Sequence, residues 1–449
     1  MNDPLDQFYG KGLEKTKIKN EWYKQYDVKK GLRNEDGTGV LVGLTKIADV
    51  VGYQKVDGNK VDCLGKLYYR GLDIDEFMTS IRNEGVGQFE KTCFLLVFGY
   101  LPNTNELETF TTYLKNHYEL SDDFVETKLL HMPGKNIMNR LQQAVLSLYD
   151  YDEKADDVSI VNTLHQGLNM LAKLPSIICY AYQSKIHKYN KASLVIHPVQ
   201  PNLTIAENML YMLRENHTFS ELEAQVLDRM LILHADHGGG NNSTFTNVVI
   251  SSTGTDIYST MVGAIGSMKG PRHGGANLKV VGMMKEVIHE IGFSEDKEEI
   301  KQVIYKILHK DFYDHSGLVY GIGHAIYTLS DPRSVLIQKD IFALAKAKHR
   351  EKEYAFYQLF EACAKEIIYE EKGKRVSSNI DFYSGFVYNM LQIPEEVYTP
   401  LFVLARMIGW LAHNIENKAY DGRIMRPATK YVGEIVKLGD VENENNHSI

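Results

Sequence analysis

Beyond Gly71 the chain carries an almost unbroken helical signature, and this constrains its fold more than any other feature. Apolar residues recur at three- and four-residue spacing in EKTCFLLVFGYLP, NIMNRLQQAVLSLYDYD, VNTLHQGLNMLAKLPSIICYAYQSKI and LTIAENMLYMLRE, the spacing of a helix with one buried face. Stops are marked by Gly99-Tyr100-Leu101-Pro102 and by Pro133-Gly134, and Pro198 and Pro201 fall in a loop. The small-residue helix YSTMVGAIGSMKG must end at Gly270-Pro271, and NLKVVGMMKEVIHEIGF and VLIQKDIFALAKAKH are amphipathic. VYTPLFVLARMIGWLAHNIE, starting at Pro400, is apolar nearly all round and therefore predicted to be buried. Only Gly37 to Arg70 has a different texture. GTGVLVGL and LGKLYYRG lean towards strand, with turn signals at NEDG and VDGN. The first 35 or so residues read as a charged surface arm with a short helix at Glu21 to Tyr26. The expectation is a mainly α fold with a few short strands inside residues 1–70.

Composition narrows the function classes. Of 449 residues, 44% are hydrophobic and 24% charged, which excludes wholesale disorder. With 50 Lys+Arg against 58 Asp+Glu the net charge is −8, leaving no basic excess for a general nucleic-acid binder. Cys63, Cys93, Cys179 and Cys363 form no C-x-x-C pair, so a disulfide framework or cysteine zinc site is not expected, and a reducing cytoplasm is. The opening MNDPLDQFYG has no apolar core and reads as neither signal nor transit peptide. LFVLARMIGWLAH is too short to span a bilayer and is interrupted by Arg406.

Four segments place ionisable residues on glycine-rich loops between helices. In His234-Ala235-Asp236-His237-Gly238-Gly239-Gly240-Asn241-Asn242-Ser243-Thr244, three readings stand side by side. The histidines and aspartate could ligate a metal, the imidazoles and glycine amides could bind an anion, or Asn/Ser/Thr could simply cap a helix. In Gly270-Pro271-Arg272-His273-Gly274-Gly275, His273 precedes a helix N-terminus, which would keep it neutral; the plain alternative is a solvated turn. Gly321-Ile322-Gly323-His324 lacks the third glycine and β-α-β context of a dinucleotide loop. It leaves His324 and, nine residues on, Arg333 as joint donors to an anionic, carbonyl-bearing ligand, unless Asp331-Pro332-Arg333 is a surface turn. Asp381, between Ile380 and Phe382, is either a helix cap or a desolvated carboxylate suited to general-base work. Arg406 lies in the apolar helix at four-residue spacing from Phe402 and Trp410. A buried guanidinium demands an anion: Glu416, Asp421 or a bound carboxylate. Arg426 follows in Arg423-Ile424-Met425-Arg426-Pro427.

Taken together, HADHGGGNNST, GPRHGGAN, GIGHAIYTLSDPR, NIDFYSG, FVLARMIGWLAH and RIMRP resemble the citrate synthase family in order, with weaker similarity at FGYLP and YRGLDIDEF. The resemblance implies an almost all-helical homodimer. A large domain would span residues 1–276 plus 391–449 and a small mobile one 277–390, closing over oxaloacetate before acetyl-CoA binds. By motif, Asp381 would take a proton from the acetyl methyl group, His273 would donate to the thioester oxygen, and His324 would polarise the oxaloacetate carbonyl. His234, Arg333, Arg406 and Arg426 would hold the carboxylates, Arg426 from the partner subunit. Coenzyme A would contact Leu318, Val319, Tyr320, Gly321, Gly323 and Arg33. No metal or cofactor is implied, acetyl-CoA being a substrate of this tricarboxylic acid cycle enzyme. One departure is Thr328, where family members often carry a CoA-contacting basic residue. The rivals are 2-methylcitrate synthase, which uses propionyl-CoA on the same site, a metal-dependent hydrolase built on His234, Asp236 and His237, and a silent dicarboxylate-binding protein.

Overall fold

The computed structural model of the chain describes residues 12–13, 16–57, 59–420 and 422–435. Two compact units emerge: the chain ends, Met1–Val42 with Met425–Ile449, and the body, Gly43–Ile424. In the first unit a short helix covers Asn20–Gln25, as the charged-arm reading expects. GTGVLVGL, however, is not a strand. Its one pairing is an isolated bridge between Arg33 and Gly39. Leu41 and Leu44 stand almost fully exposed, so no apolar face is buried that would repay ordering a strand there. The polar tail ENENNHSI lies outside the described residues.

The body opens with an antiparallel meander, β1 (Ala48–Val56), β2 (Asn59–Tyr69) and β3 (Leu72–Asp73). β1 and β2 run from Ala48 opposite Tyr69 to Val56 opposite Asn59, with a register shift between Val51 and Tyr53. The VDGN turn signal falls where β1 ends at Val56 and β2 begins at Asn59, and LGKLYYRG supplies the end of β2. One face of this sheet presses on the segment after His324. A Cβ on Gly65 would sit 2.1 Å from the Ser330 carbonyl oxygen. The Gly65 amide donates to Ser330 Oγ at 3.1 Å, and Tyr327 Oη donates to the Lys66 carbonyl at 3.3 Å.

Among the described residues the named elements after β3 are all helices, and several of them pack on one long element, Glu395–Tyr420. It touches helices Gln88–Phe98, Ile137–Ser147, Ile160–Asn190, Glu221–His234, Asn242–Ser251 and Ile257–Lys269. Every residue from Val397 to Asn414 is buried, as expected for a helix apolar all round. Its start differs from the expectation: Pro400 is not in the first turn, because the helix begins at Glu395 with Glu395 and Glu396 in that turn. One interior proline forfeits a single i→i−4 bond, and burial of Val397, Tyr398, Leu401 and Phe402 offsets it. Capping boxes at Asn103/Glu106, Thr204/Glu207 and Ser220/Glu223 start three helices. The last leads to His234. No helix among the described residues is long and apolar enough to cross a membrane.

The central helix crosses the Ala235-Asp236 backbone at Gly409, where a Cβ would lie 2.5 Å from the Ala235 carbonyl oxygen and 2.4 Å from Asp236 Oδ1. Gly409→Ala gains about 1 kcal/mol of helix propensity but overpacks at a cost of about 1–3 kcal/mol. We expect net destabilisation, read as a lower urea midpoint at unchanged m-value; a raised midpoint would show that the crossing yields.

Candidate active site

His234 is the last residue of the Glu221–His234 helix, and the Asp236–Gly240 loop leads into the Asn242–Ser251 helix. His273 occupies the turn between helices Ile257–Lys269 and Ala276–Ile291. Arg333 sits in the first turn of Pro332–Ala347, and Asp381 in the first turn of Ile380–Met390. Arg406 lies near the middle of the central helix, within the fully buried stretch.

Phe402 and Arg406 tie several of these together. The Arg406 guanidinium stacks 4.8 Å from the Phe402 ring centroid. The same ring meets His234 at 4.6 Å and His273 at 6.2 Å, both edge-on. Arg406 is 0% exposed, its Nε donates to the His234 carbonyl at 2.7 Å, and Nη1 and Nη2 have no protein partner. Burial lowers its pKa to about 10, opposed chiefly by Asp236, so the cation persists at neutral pH. Among the described residues no carboxylate pairs with its terminal nitrogens. Glu416 accepts from the Lys46 amide at 2.8 Å, and Asp421 lies outside the described residues.

The buried histidines are held neutral for identifiable reasons. His234 Nδ1 lies 2.8 Å from the Met230 carbonyl. A carbonyl only accepts, so Nδ1 carries the proton and neutral His234 presents a lone pair at Nε2. Burial lowers its pKa to about 3, resisted by the Met230 bond and reinforced by Arg333 and Arg406. His273 is lowered to about 4 by burial and then by Arg406. Both causes favour the neutral ring. Its Nε2 lies 2.9 Å from Ser243 Oγ, which also accepts from Trp410 Nε1 at 3.2 Å. The one Ser243 proton can go to Asn241 Oδ1, 2.9 Å away, or to His273 Nε2. The second choice makes His273 an Nδ1–H donor.

His324 is oriented by its own loop. Its Nδ1 faces the backbone amides of Ile326 and Tyr327, both at 3.0 Å. Nδ1 therefore accepts, and the proton of neutral His324 sits on Nε2. The ring stacks on Tyr327 at 4.7 Å and meets His237 edge-on at 5.2 Å. Residues 321–323 are zipped to the approach of the Asp381 helix. The Asn379 amide donates to the Gly321 carbonyl at 2.9 Å, the Gly323 amide to Ser377 O at 2.7 Å, and Asn379 Nδ2 to Gly323 O at 2.9 Å. Gly321 has φ +81°, and a Cβ there would fall 2.9 Å from the Phe382 Cα. Only glycine lets the loop lie this close.

Asp381 is not the helix cap. Asn379 is, its Oδ1 accepting from the Asp381 amide at 3.0 Å. Asp381 Oδ1 is sealed from solvent without a partner. Burial raises the carboxyl to about 6, Arg333 pulling it down and Asp331 pushing it up.

Two alternative readings give way. Asp331-Pro332-Arg333 is no surface turn: Asp331 and Arg333 are both buried. Arg333 donates to Asp331 through Nε at 3.0 Å and Nη2 at 2.7 Å. Burial works against both charges, but each holds the other ionised, so Asp331 is shifted down and Arg333 up. The alternative metal reading would need His234, Asp236 and His237 to converge, and they do not. Asp236 Oδ2 accepts from the Gly238 amide at 2.8 Å and faces His413 Nε2 at 3.4 Å. Among the described residues no three His, Cys, Asp or Glu side chains are grouped to hold a metal ion. Of the expected CoA contacts, Leu318 is exposed and Val319 buried, while Tyr320 Oη donates to Asp314 at 2.7 Å. Arg33 and Arg426 belong to the chain-end unit, where both are exposed and Arg33 Nη1 donates to the Gly37 carbonyl. Ser243, Trp410, Asp331 and Phe402 are participants whose part single-segment reading did not identify.

Fold and site define a helical enzyme built around a buried cation and neutral histidines. A family model described as citrate synthase, C-terminal domain, matches residues 36–428. The citrate synthase of Haloferax volcanii is 33% identical over 412 residues, 91% of this chain and 96% of that one. That of Deinococcus radiodurans is 35% identical over 82% of this chain and 90% of its own length. The crystal structure of citrate synthase from Pyrobaculum aerophilum superposes with a TM-score of 0.72 at 27% identity, covering 89% of this chain and 93% of that one. Relatives named 2-methylcitrate synthase match at 30% and 31%. The chain belongs to the citrate synthase family.

The Asp331–Arg333 pair yields a stability prediction. Asp331→Asn leaves the buried guanidinium uncompensated, at a cost of about 3–5 kcal/mol in denaturant unfolding. A carboxyl depressed on folding contributes above its unfolded pKa near 4. The wild-type advantage should therefore start to shrink as pH falls below about 4 and be lost only below the depressed folded pKa of Asp331; a pH-independent difference would contradict the charge argument.

Proposed function

We propose that this chain condenses acetyl-CoA with oxaloacetate and water to give citrate and CoA. One observation carries the reading: a fully buried Arg406 has both terminal nitrogens unpartnered, beside neutral His273 and within electrostatic reach of a base, Asp381. Such a guanidinium suits a carboxylate in bidentate fashion. Arg333 and His234 add to this anion site, and Arg426 completes it from the partner subunit of a homodimer. His234 can donate to a carboxylate only as imidazolium, so in this reading substrate arrival draws a proton onto its Nε2. His324, with Nδ1 occupied by backbone amides, aims its Nε2–H at the oxaloacetate carbonyl oxygen.

The chemistry then needs two simultaneous proton relationships. Asp381 removes a proton from the acetyl methyl group while His273 Nδ1–H donates to the thioester oxygen, so no free carbanion forms. The enol(ate) carbon attacks the oxaloacetate carbonyl carbon, and the oxygen that gains charge is met by His324. Water cleaves the resulting thioester, releasing CoA as its thiol. Residues 277–390, which carry His324, Arg333 and Asp381, act as the mobile lobe closing on His234, His273 and Arg406. The 318–323 loop and Arg33 contact CoA, and no metal or further cofactor takes part. The same reading places the enzyme in the cytoplasm.

The test is release of free CoA thiol from oxaloacetate plus acetyl-CoA or propionyl-CoA, with chelator present. Acetyl-CoA is expected to be the faster donor. Faster turnover of propionyl-CoA would favour the 2-methylcitrate synthase reaction, and loss of activity in chelator would sink the metal-free mechanism. The raised Asp381 pKa sets the pH response. The base must be ionised, so kcat/KM should fall about tenfold per pH unit below about 6. Asp381→Asn should abolish that limb and lower kcat by orders of magnitude while oxaloacetate still binds.

A further inference from the structure

Glu361, on the Glu351–Lys372 helix, is named by no motif and has no hydrogen bond to the side chains assigned to chemistry. Its buried carboxylate nevertheless reaches both flanks of Asp381. Oε1 accepts from Ser378 Oγ at 2.5 Å and from Lys365 Nζ, and Oε2 accepts from Tyr383 Oη. Ser378 lies three residues before Asp381, and Tyr383 two after it. Ser378 Oγ also meets Ser334 Oγ at 3.1 Å, next to Arg333. Since Ser378 spends its proton on Glu361, Ser334 is the donor there.

The site residues differ in how much they depend on this clamp. Arg333 is fixed by two bonds to Asp331, and His324 by two amides of its own loop. Asp381 has the Asn379 cap on its backbone amide, a long bond from Ser384 Oγ to its carbonyl at 3.5 Å, and an unpartnered Oδ1. Its carboxylate is aimed by the backbone alone, and that backbone is gripped from both sides by Glu361.

We propose that Glu361 is a positioning residue for Asp381, acting through Ser378 and Tyr383. This rests on the reading of Asp381 as the base. A glutamine at 361 keeps the shape but has one acceptor oxygen instead of two, so Ser378 or Tyr383 must exchange its charge-assisted bond to a carboxylate for a weaker one in which the hydroxyl accepts from the amide. A misplacement of about 1 Å at a reacting group is worth on the order of a hundredfold in rate.

The experiment measures kcat, both KM values, the pH profile and the thermal midpoint for wild type, Glu361→Gln, Tyr383→Phe and Ser378→Ala. We expect Glu361→Gln to lose about 10- to 100-fold in kcat, with the oxaloacetate KM within about threefold, because Arg333, Arg406 and His324 keep their own supports. The acid limb of kcat/KM should move below about 6, as water gains access to the loosened carboxylate. A lowered midpoint with kcat and acid limb both unchanged would overturn the proposal, leaving Glu361 a stability residue. Should Glu361→Gln fail to fold, Tyr383→Phe and Ser378→Ala carry the same criteria, each removing one arm. Wild-type protein inactive with both acyl-CoA donors would overturn the functional reading and this proposal with it; active wild type beside unchanged variants overturns this proposal alone.

Discussion

A guanidinium shut away from bulk solvent is the constraint on which this structure turns. Arg406 sits inside the most deeply buried helix, and its desolvation is tolerable only because three things surround it: the His234 carbonyl, the Phe402 face and the Asp236 carboxylate. Each makes its own demand. The His234 carbonyl must end its helix pointing at the central one. Phe402 must lie one turn before the arginine. Asp236 must stay ionised, which the Gly238 amide and His413 secure. A cation kept charged under these conditions is expensive to fold around, and it presents a strong, preorganised field to any carboxylate that reaches it.

That field also explains why the neighbouring histidines are useful. Burial by itself would leave a histidine neutral and inert. Burial next to Arg406 and Arg333 makes protonation still harder, so until a carboxylate arrives these rings are neutral hydrogen-bond partners rather than cations. The two positive groups and the neutral imidazoles are thus one electrostatic arrangement. Asp381 stands at its edge with the opposite tendency: burial and Asp331 push its proton on while Arg333 and Arg406 pull it off. The balance leaves a carboxyl poised to change state near neutrality.

How much of this was legible beforehand depended on the range of each interaction. Helices such as Gln88–Phe98 and Ile160–Asn190 announce themselves through local spacing, and the elements expected of them formed. GTGVLVGL failed as a strand because β-propensity needs a partner and a buried face, which are tertiary facts. Pro400 misled because packing outweighed one lost hydrogen bond. Within the site, His234, His273, His324, Asp381 and Arg406 stood out as polar interruptions of helical sequence, and the structure ties His234, His273 and Arg406 together at Phe402. The Asp331–Arg333 pair was readable in principle, since an aspartate before a proline is a helix cap, but its burial was not. Ser243 and Trp410 lie 167 residues apart, and Glu361 signals through a helix that looks ordinary. No local pattern encodes such partnerships.

The meander behind the His324 loop has a temporal consequence. Gly65 and Ser330 are bonded across 265 positions of chain, and the central helix that shapes the rest of the site is made later still. The platform for His324 therefore leaves the ribosome well before the loop it supports, and Arg406 follows that loop. Contacts of such long sequence separation form only after wide loops have closed. The chemistry is consequently assembled only once the Arg406 helix has been made, and a chain that stops short of it lacks the parts from which to build a working centre.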